Sequence, residues 1–365
     1  MSRDGPRVAG VDPGTFSFEV CGLDGGEVFL ERSFRTVDVG ADPAPLVEAL
    51  VDNGPFELVL GPAGYGLPLV PVEQVGEREL ALMVLVREDE PRGHVGVGGM
   101  RSIMRALIAA GLPLVFAPGA IHLPTIPTYR KWNRIDLGTA DKVASAALCI
   151  ADQADRLGLA HEETSFIMLE LGGAFSAALA VDGGRIVDGL GGSCAPIGAR
   201  SCGALDAEAA YLLGAALSKE TVFSGGALDP RGELDLSAPG ALEALRGDPR
   251  HLEGWLALEE GAVKAALALT ASVPAPHEIL VAGRLAGAPG LLDALTERLA
   301  GVATVRAATG LGTRAKTAAE GAALLADGLA GGRYAPLVER LRLREASGNA
   351  LDHLRMRGAE SILLA

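Results

Sequence analysis

Two stretches of the chain write an acid, a glycine and a turn at one shared spacing. VAGVDPGTFSFEVCGLDGGEVFL runs from Val8 to Leu30, and FIMLELGGAFSAALAVDGGRIVDG from Phe166 to Gly189. In each, an apolar run ends at an acid, Asp12 or Glu170, and a glycine follows two positions on, Gly14 or Gly172. An Asp-Gly-Gly starts twelve positions after the acid, at Asp24 or Asp182. A tight glycine turn lets backbone N–H groups come close to a phosphate, because no Cβ stands in the way. An acid at a strand end can hold Mg²⁺ directly or through water. Two such turns on two domains can face each other and clamp a triphosphate. The plain alternative is a pair of ordinary hairpins.

Strands and turns must position these residues. Val8–Val11 reads as a short buried strand. Phe16–Leu23 and Val28–Phe34 read as two more, joined at Asp24-Gly25-Gly26, a favoured hairpin turn. Further strands are expected at Glu57–Leu60, Leu114–Ala117, Glu278–Ala282 and Ala303–Ala307. GPAGYGLP reads as a loop. Thr139 offers an N-cap to a helix through Leu157, with Val143, Ala147, Ile150 and Ala154 on one face. The segment Pro118 to Gly138 carries three prolines and little periodicity, and reads as a crossing between domains or a pocket wall. Other helices are expected near Asp206–Leu217, Leu252–Ala271 and Leu291–Leu299, and along an Arg-rich tail from Tyr334. His94, in GHVGVGG, falls in a flexible loop.

At 365 residues, two domains are expected. With strands and helices alternating and each half opening on strand, turn, strand, the fold class is α/β with an internal duplication. The net charge of −14 argues against nucleic acid or an anionic membrane as the main partner, and leaves room for a small anionic substrate. The four cysteines, Cys21, Cys149, Cys194 and Cys202, form no CxxC pair, so neither a zinc nor a redox motif appears. A reduced, cytoplasmic setting is the simplest expectation. MSRDGPRV has no apolar signal region, and no run reads as a membrane span.

The ordered set of segments resembles the actin-like superfamily of sugar kinases, chaperone ATPases and acetate-type kinases. Asp12, Gly14 and Thr15 match its first phosphate loop. Glu170, Gly172 and Gly173 match its second. ILVAGRLAG, Ile279 to Gly287, is similar to its adenosine motif, and TADKVASAALCIA and AAEGAALLADGLAGG to its connecting helices. Within it, DPGTFS and ELGGAFS are similar to the loops of butyrate and acetate kinases. GGSCAPIGARSCG resembles a third butyrate-kinase segment, with Arg200 at its arginine. RKWNRIDLGTADK and EGAALLADGLAGG are similar to a family described as predicted butyrate kinase. Three positions depart: Asp12 stands for an Asn, Glu19 or a neighbour for a Lys, and Glu170 for a His.

The resemblance implies two ribonuclease-H-like domains with duplicated, mixed five-stranded sheets and an ATP cleft between them. The boundaries expected are 1–137, 138–320 and a segment 321–365 that packs back on the first domain. It implies ATP and Mg²⁺ as cofactors, a small-molecule substrate and a homodimer. Asp12 and Glu170 would hold the metal. Gly14, Thr15, Ser17, Gly172 and Gly173 would line the phosphates, and Gly283, Arg284, Gly310 and Gly312 the adenosine. A carboxylate acceptor needs a cation, for which Arg200, Arg130 and Arg134 are the candidates. A hydroxyl acceptor needs a base, Asp141 or Asp136. His122 and Asn133 would line the substrate pocket. An ATP-driven conformational switch acting on a partner enzyme is the alternative from another class. For that class Cys194 and Cys202 of two copies would supply four thiols.

Overall fold

A computed structural model describes residues 5–88, 98–312 and 315–364 of the chain. His94 lies outside the described residues.

The first sheet has six strands: β1 Arg7–Pro13, β2 Ser17–Asp24, β3 Glu27–Arg35, β4 Leu58–Gly61, β5 Gly66–Pro71 and β6 Leu114–Pro118, in the order β3-β2-β1-β4-β6-β5. The second has five: β7 Ser165–Leu171, β8 Ser176–Asp182, β9 Arg185–Leu190, β10 Glu278–Ala282 and β11 Thr304–Ala307, in the order β11-β10-β7-β8-β9. Leaving out β5, the two sheets share one topology. Each opens with an antiparallel three-strand unit whose first strand pairs in parallel with a fourth strand, which in turn pairs in parallel with a fifth.

The repeat extends to register. The residue after each acid faces the neighbouring strand at the same offset, Pro13 on Phe18 and Leu171 on Ser176. Both hairpins carry an irregularity at the same place, Gly22/Leu23 and Ala180/Val181. Both turn through glycines with positive φ, Gly25 and Gly26 at 61° and 84°, Gly183 and Gly184 at 55° and 65°. Two successive positive-φ residues make the tight turn that matches strand twist.

The sixth strand is a departure from the expected five. The GLPLVP segment pairs antiparallel with β6, Val70 on Phe116. Its prolines are tolerated because β5 is an edge strand, where a missing N–H breaks no central ladder.

Strand β7 is buried along its whole length, and its alternating side chains feed two cores. Phe166 and Met168 join a core shared with the first sheet and the Ala140–Leu157 helix; Ile167, Leu169 and Leu171 join a second with Trp255, Leu258 and Leu295. The Thr317–Leu329 helix follows the second sheet in sequence but packs on the first. Gly10 of β1 makes this approach possible, since a Cβ there would overlap Ala322 and Ala323. That helix crosses the Ala140–Leu157 helix at Gly321, where a Cβ would overlap the Ala144 carbonyl. The two connecting helices therefore start side by side, facing the ends of β1 and β7. The tail is less helical than expected. After the Ala335–Leu341 helix it runs in short turns, with positive φ at Arg342, Gly348 and Gly358. Among the described residues, no helix is long and apolar enough to cross a membrane.

Candidate functional site

Both acid-glycine turns close on themselves in the same way. The Gly14 N–H donates to the Ser17 carbonyl at 3.1 Å, and the Gly172 N–H to the Phe175 carbonyl at 2.9 Å. These two amides are therefore used inside their turns, which corrects the expectation that they would cradle phosphate. The amides of Thr15 and Gly173, at the tips, have no partner among the described residues. Thr36 steadies the first turn, its hydroxyl donating to the Gly14 carbonyl at 2.7 Å and its N–H to the Phe16 carbonyl at 3.0 Å.

The tips meet. The Phe16 ring lies against Gly173, so closely that a Cβ on Gly173 would overlap it. Two guanidinium groups stack on the same ring, Arg200 at 4.8 Å and Arg284 at 5.5 Å from its centroid. Gly283 sits behind the second turn with φ 87°, and a Cβ there would press into the Leu171 carbonyl and the Glu170 carboxylate.

Beneath the tips is a buried charge cluster. Asp12 ends β1, Glu170 lies near the end of β7, and Asp141 and Lys142 open the Ala140–Leu157 helix. The Lys142 ammonium is 2.6 Å from Asp141 Oδ2 and forms a second ion pair with Glu170. The Thr139 hydroxyl also donates to Asp141. Burial works to raise the Asp141 carboxyl, but the Lys142 charge and these hydrogen bonds outweigh it and hold it below the usual carboxylate range. Lys142 is pushed upward despite its burial by the two carboxylates it bridges. Asp12 is pushed up to about 6, by burial first, with Asp141 and Glu170 adding to the rise and Lys316 and Lys142 opposing it. Lys316, preceding the Thr317–Leu329 helix, donates to the Ser17 carbonyl at 3.0 Å and lies 3.7 Å from Asp12 Oδ2.

Neither Lys142 nor Lys316 stood out in the sequence. The signal available was position: a cation at a helix N-terminus opposes the macrodipole and calls for an acidic partner. Those partners are far away in the chain.

Several expected residues turn out to be engaged elsewhere. Arg200 is bound to the buried Asp229 through Nε at 3.0 Å and to the Leu234 carbonyl at 2.7 Å, so it braces the first turn through Phe16. Arg130 donates to the Val187 carbonyl at 2.7 Å and pairs with Asp188, tying the crossing segment to β9. His122 is only 2% exposed, with Nδ1 on the Gly119 carbonyl, and has no surface to offer a substrate. Asp136 accepts from the Gly138 and Ser193 amides and is raised by burial. Gly310 and Gly312 belong to a loop whose amides are taken, Leu311 and Gly312 donating to Glu320 at 2.9 and 2.8 Å.

Asn133, with φ 53°, pins the tail: its N–H donates to the His353 carbonyl and its Oδ1 accepts from the Arg355 amide. It also lines a cavity of about 500 Å³ with Ile135, Cys194, Leu354, Met356 and Arg357. Cys194 and Cys202 are free thiols, both raised by burial.

Solved structures share this architecture. A propionate kinase from Francisella tularensis subsp. tularensis SCHU S4 matches with a TM-score of 0.58 and 14% identity, over 87% of this chain and 98% of that one. An acetate kinase from Porphyromonas gingivalis matches at 0.55 and 14%, over 83% and 96%. One from Entamoeba histolytica matches at 0.52 and 10%, over 80% and 86%. At such identities the shared property is the fold. No curated protein matches the chain. The profile of one family, described as Protein of unknown function (DUF1464), matches residues 10–356, and the chain belongs to that family.

Proposed function

We propose that the chain is a Mg-ATP-dependent phosphotransferase that acts on a small carboxylate and forms an acyl phosphate. The observation that carries this reading is the meeting of the two acid-glycine turns, Phe16 on Gly173, above a cluster of the buried Asp12 and Glu170 with the partly buried Asp141, Lys142 and Lys316. Phosphoryl transfer asks a protein for positioning and charge neutralisation more than for covalent chemistry. Turn tips with unpaired amides, next to fixed ammonium groups, offer both.

In the transfer, the bond from the γ-phosphorus to the bridging oxygen breaks and ADP departs with that oxygen. An acceptor carboxylate oxygen bonds to the phosphorus. An ionised acid needs no proton removed. That suits a site whose two candidate bases are occupied, Asp141 by Lys142 and Thr139 and Asp136 by two backbone amides.

The donor set is all oxygen, as Mg²⁺ requires. Among the described residues no three His, Cys, Asp or Glu converge as a metal group. Asp12, buried and incompletely neutralised, would hold the ion together with phosphate oxygens, the usual arrangement for this metal. Glu170 is engaged by Lys142, so we assign it to positioning the second turn. When bound, Mg²⁺ would neutralise phosphate charge. The Thr15 and Gly173 amides would donate to phosphate oxygens, and Gly283 would let the nucleotide pass close to the backbone.

For the acceptor we propose the cavity beside Asn133. Its apolar wall of Ile135, Leu354 and Met356 suits a short acyl chain, and Arg357 suits a carboxylate. The test is a hydroxylamine trap with ATP, Mg²⁺ and a panel of short carboxylic acids. Hydroxamate should form with at least one acid and require ATP. ATP turnover with a sugar and no hydroxamate would instead point to a hydroxyl acceptor.

A further inference from the structure

The two connecting helices deliver their lysines crosswise. The Ala140–Leu157 helix leaves the first sheet and gives Lys142 to Glu170 of the second; the Thr317–Leu329 helix leaves the second and is preceded by Lys316, beside Asp12 of the first. Each turn acid thus has a lysine from the start of the helix that follows the other sheet in sequence. The two lysines are not held alike. The Lys142 side chain is 15% exposed and locked between two carboxylates. That of Lys316 is 30% exposed, and its ion contacts are long, 3.7 Å to Asp12 and 3.9 Å to Glu19. Among the described residues, only the Ser17 carbonyl holds it at hydrogen-bond distance, 3.0 Å.

Three described residues before Lys316, Leu311, Gly312 and Ala315, have their amides tied to carboxylates. Glu320, 1% exposed, accepts from the Leu311 and Gly312 amides, and Glu31 of β3 accepts from the Ala315 amide at 2.8 Å. Glu19, the other acid at Lys316, also accepts from the Ser33 hydroxyl at 2.9 Å. The first turn is cut to fit as well, since a Cβ on Gly14 would overlap the Lys316 ammonium. The Ala315 and Glu320 contacts stand on either side of Lys316, which presents one half-free ammonium against the turn whose Thr15 amide has no partner among the described residues.

We propose that Lys316 is the cation that contacts the nucleotide's terminal phosphates, exchanging its weak contacts with Asp12 and Glu19 for a phosphate oxygen, while Lys142 stays a positioning residue. This rests on the ATP-site reading above.

Two measurements test it. The first is calorimetric titration of wild type, Lys316→Met and Lys316→Arg with Mg-ATP, Mg-ADP and AMP. The Met variant should lose at least about tenfold in affinity for ATP and ADP and little for AMP, and Arg should restore part of the loss. Equal affinities, or an equal loss for all three nucleotides, would overturn the assignment. The second uses the wild-type protein, so it does not depend on a variant folding. Reductive methylation followed by peptide mass mapping should show Lys316 protected by Mg-ATP but not by AMP. Unchanged labelling would contradict the proposal. Wild type that binds no ATP would remove the site reading itself, which is a different outcome.

Discussion

The Phe16 ring, from the first turn, rests on Gly173 of the second, and Arg200 and Arg284 stack on the same ring. The two turns thus meet through one aromatic side chain that has room only because its neighbour is glycine. Gly173→Leu would push Phe16 aside and wedge the tips apart, disturbing the second core only at its edge, where Phe16 packs. We expect phosphotransfer efficiency to fall at least about tenfold, equivalent to about 1.4 kcal/mol, with a small change in melting temperature. Steady-state kinetics alongside a thermal melt would check this. A fully active Leu variant would show that the contact is incidental.

Lys142 stands between the buried Glu170 and the partly buried Asp141 carboxylate. Removing one partner of a buried ion pair leaves the other charge uncompensated, which costs about 3–5 kcal/mol. Lys142→Met should therefore be strongly destabilised in urea unfolding. Adding Glu170→Gln should recover part of the loss, because one stranded charge disappears. If the double variant is no more stable than the single, the Lys142–Glu170 pair is not the source of the cost.

His122 sets a pH dependence. Burial is the main cause that lowers its pKa from 6.5 to about 4, with the Lys131 and His353 charges adding to the fall and the Gly119 hydrogen bond and Asp352 opposing it. Between these values the unfolded chain binds the proton and the folded protein does not. The contribution is therefore complete above about pH 6.5 and is lost as pH falls toward 4, by an amount on the order of 3 kcal/mol. His122→Gln should flatten the stability profile across this window. Parallel profiles for wild type and variant would refute the assignment.

The cavity beside Asn133 makes a prediction about acceptors. Filling it with Ile135→Trp should suppress turnover of longer acids more than that of acetate, and leave Mg-ATP affinity unchanged. The readout is the ratio of kcat/KM values for hexanoate and acetate. An unchanged ratio would place the acceptor elsewhere.

The duplicated hairpin was legible because its determinants are local. Asp-Gly-Gly turns, apolar strands and an acid before glycine all lie within one short stretch, and their spacing alone anticipates the register repeat. The Thr139 cap and the apolar face of Val143, Ala147 and Ile150 mark the connecting helix equally well. Long-range partners were not legible. Lys316 reaches Asp12 and Ser17 across most of the chain, and Arg200 meets Asp229 only after the loops between them fold. His122 looked available in a Pro-rich crossing, but nothing local shows that the tail packs over it. Gly14 and Gly172 were read as phosphate donors because they are glycines in turns. Their amides are instead consumed in closing those turns, a fact of hydrogen-bond geometry rather than of residue type. Strand β5 was hidden by prolines that only an edge position permits.

The central claim is that the two turns hold Mg-ATP through Asp12. Calorimetric titration of Mg-ATP into wild type and Asp12→Ala tests it most directly. Saturable binding to wild type, weakened at least about tenfold in the variant, is the expected result. Equal affinity in the two proteins, or no binding to wild type, would contradict it.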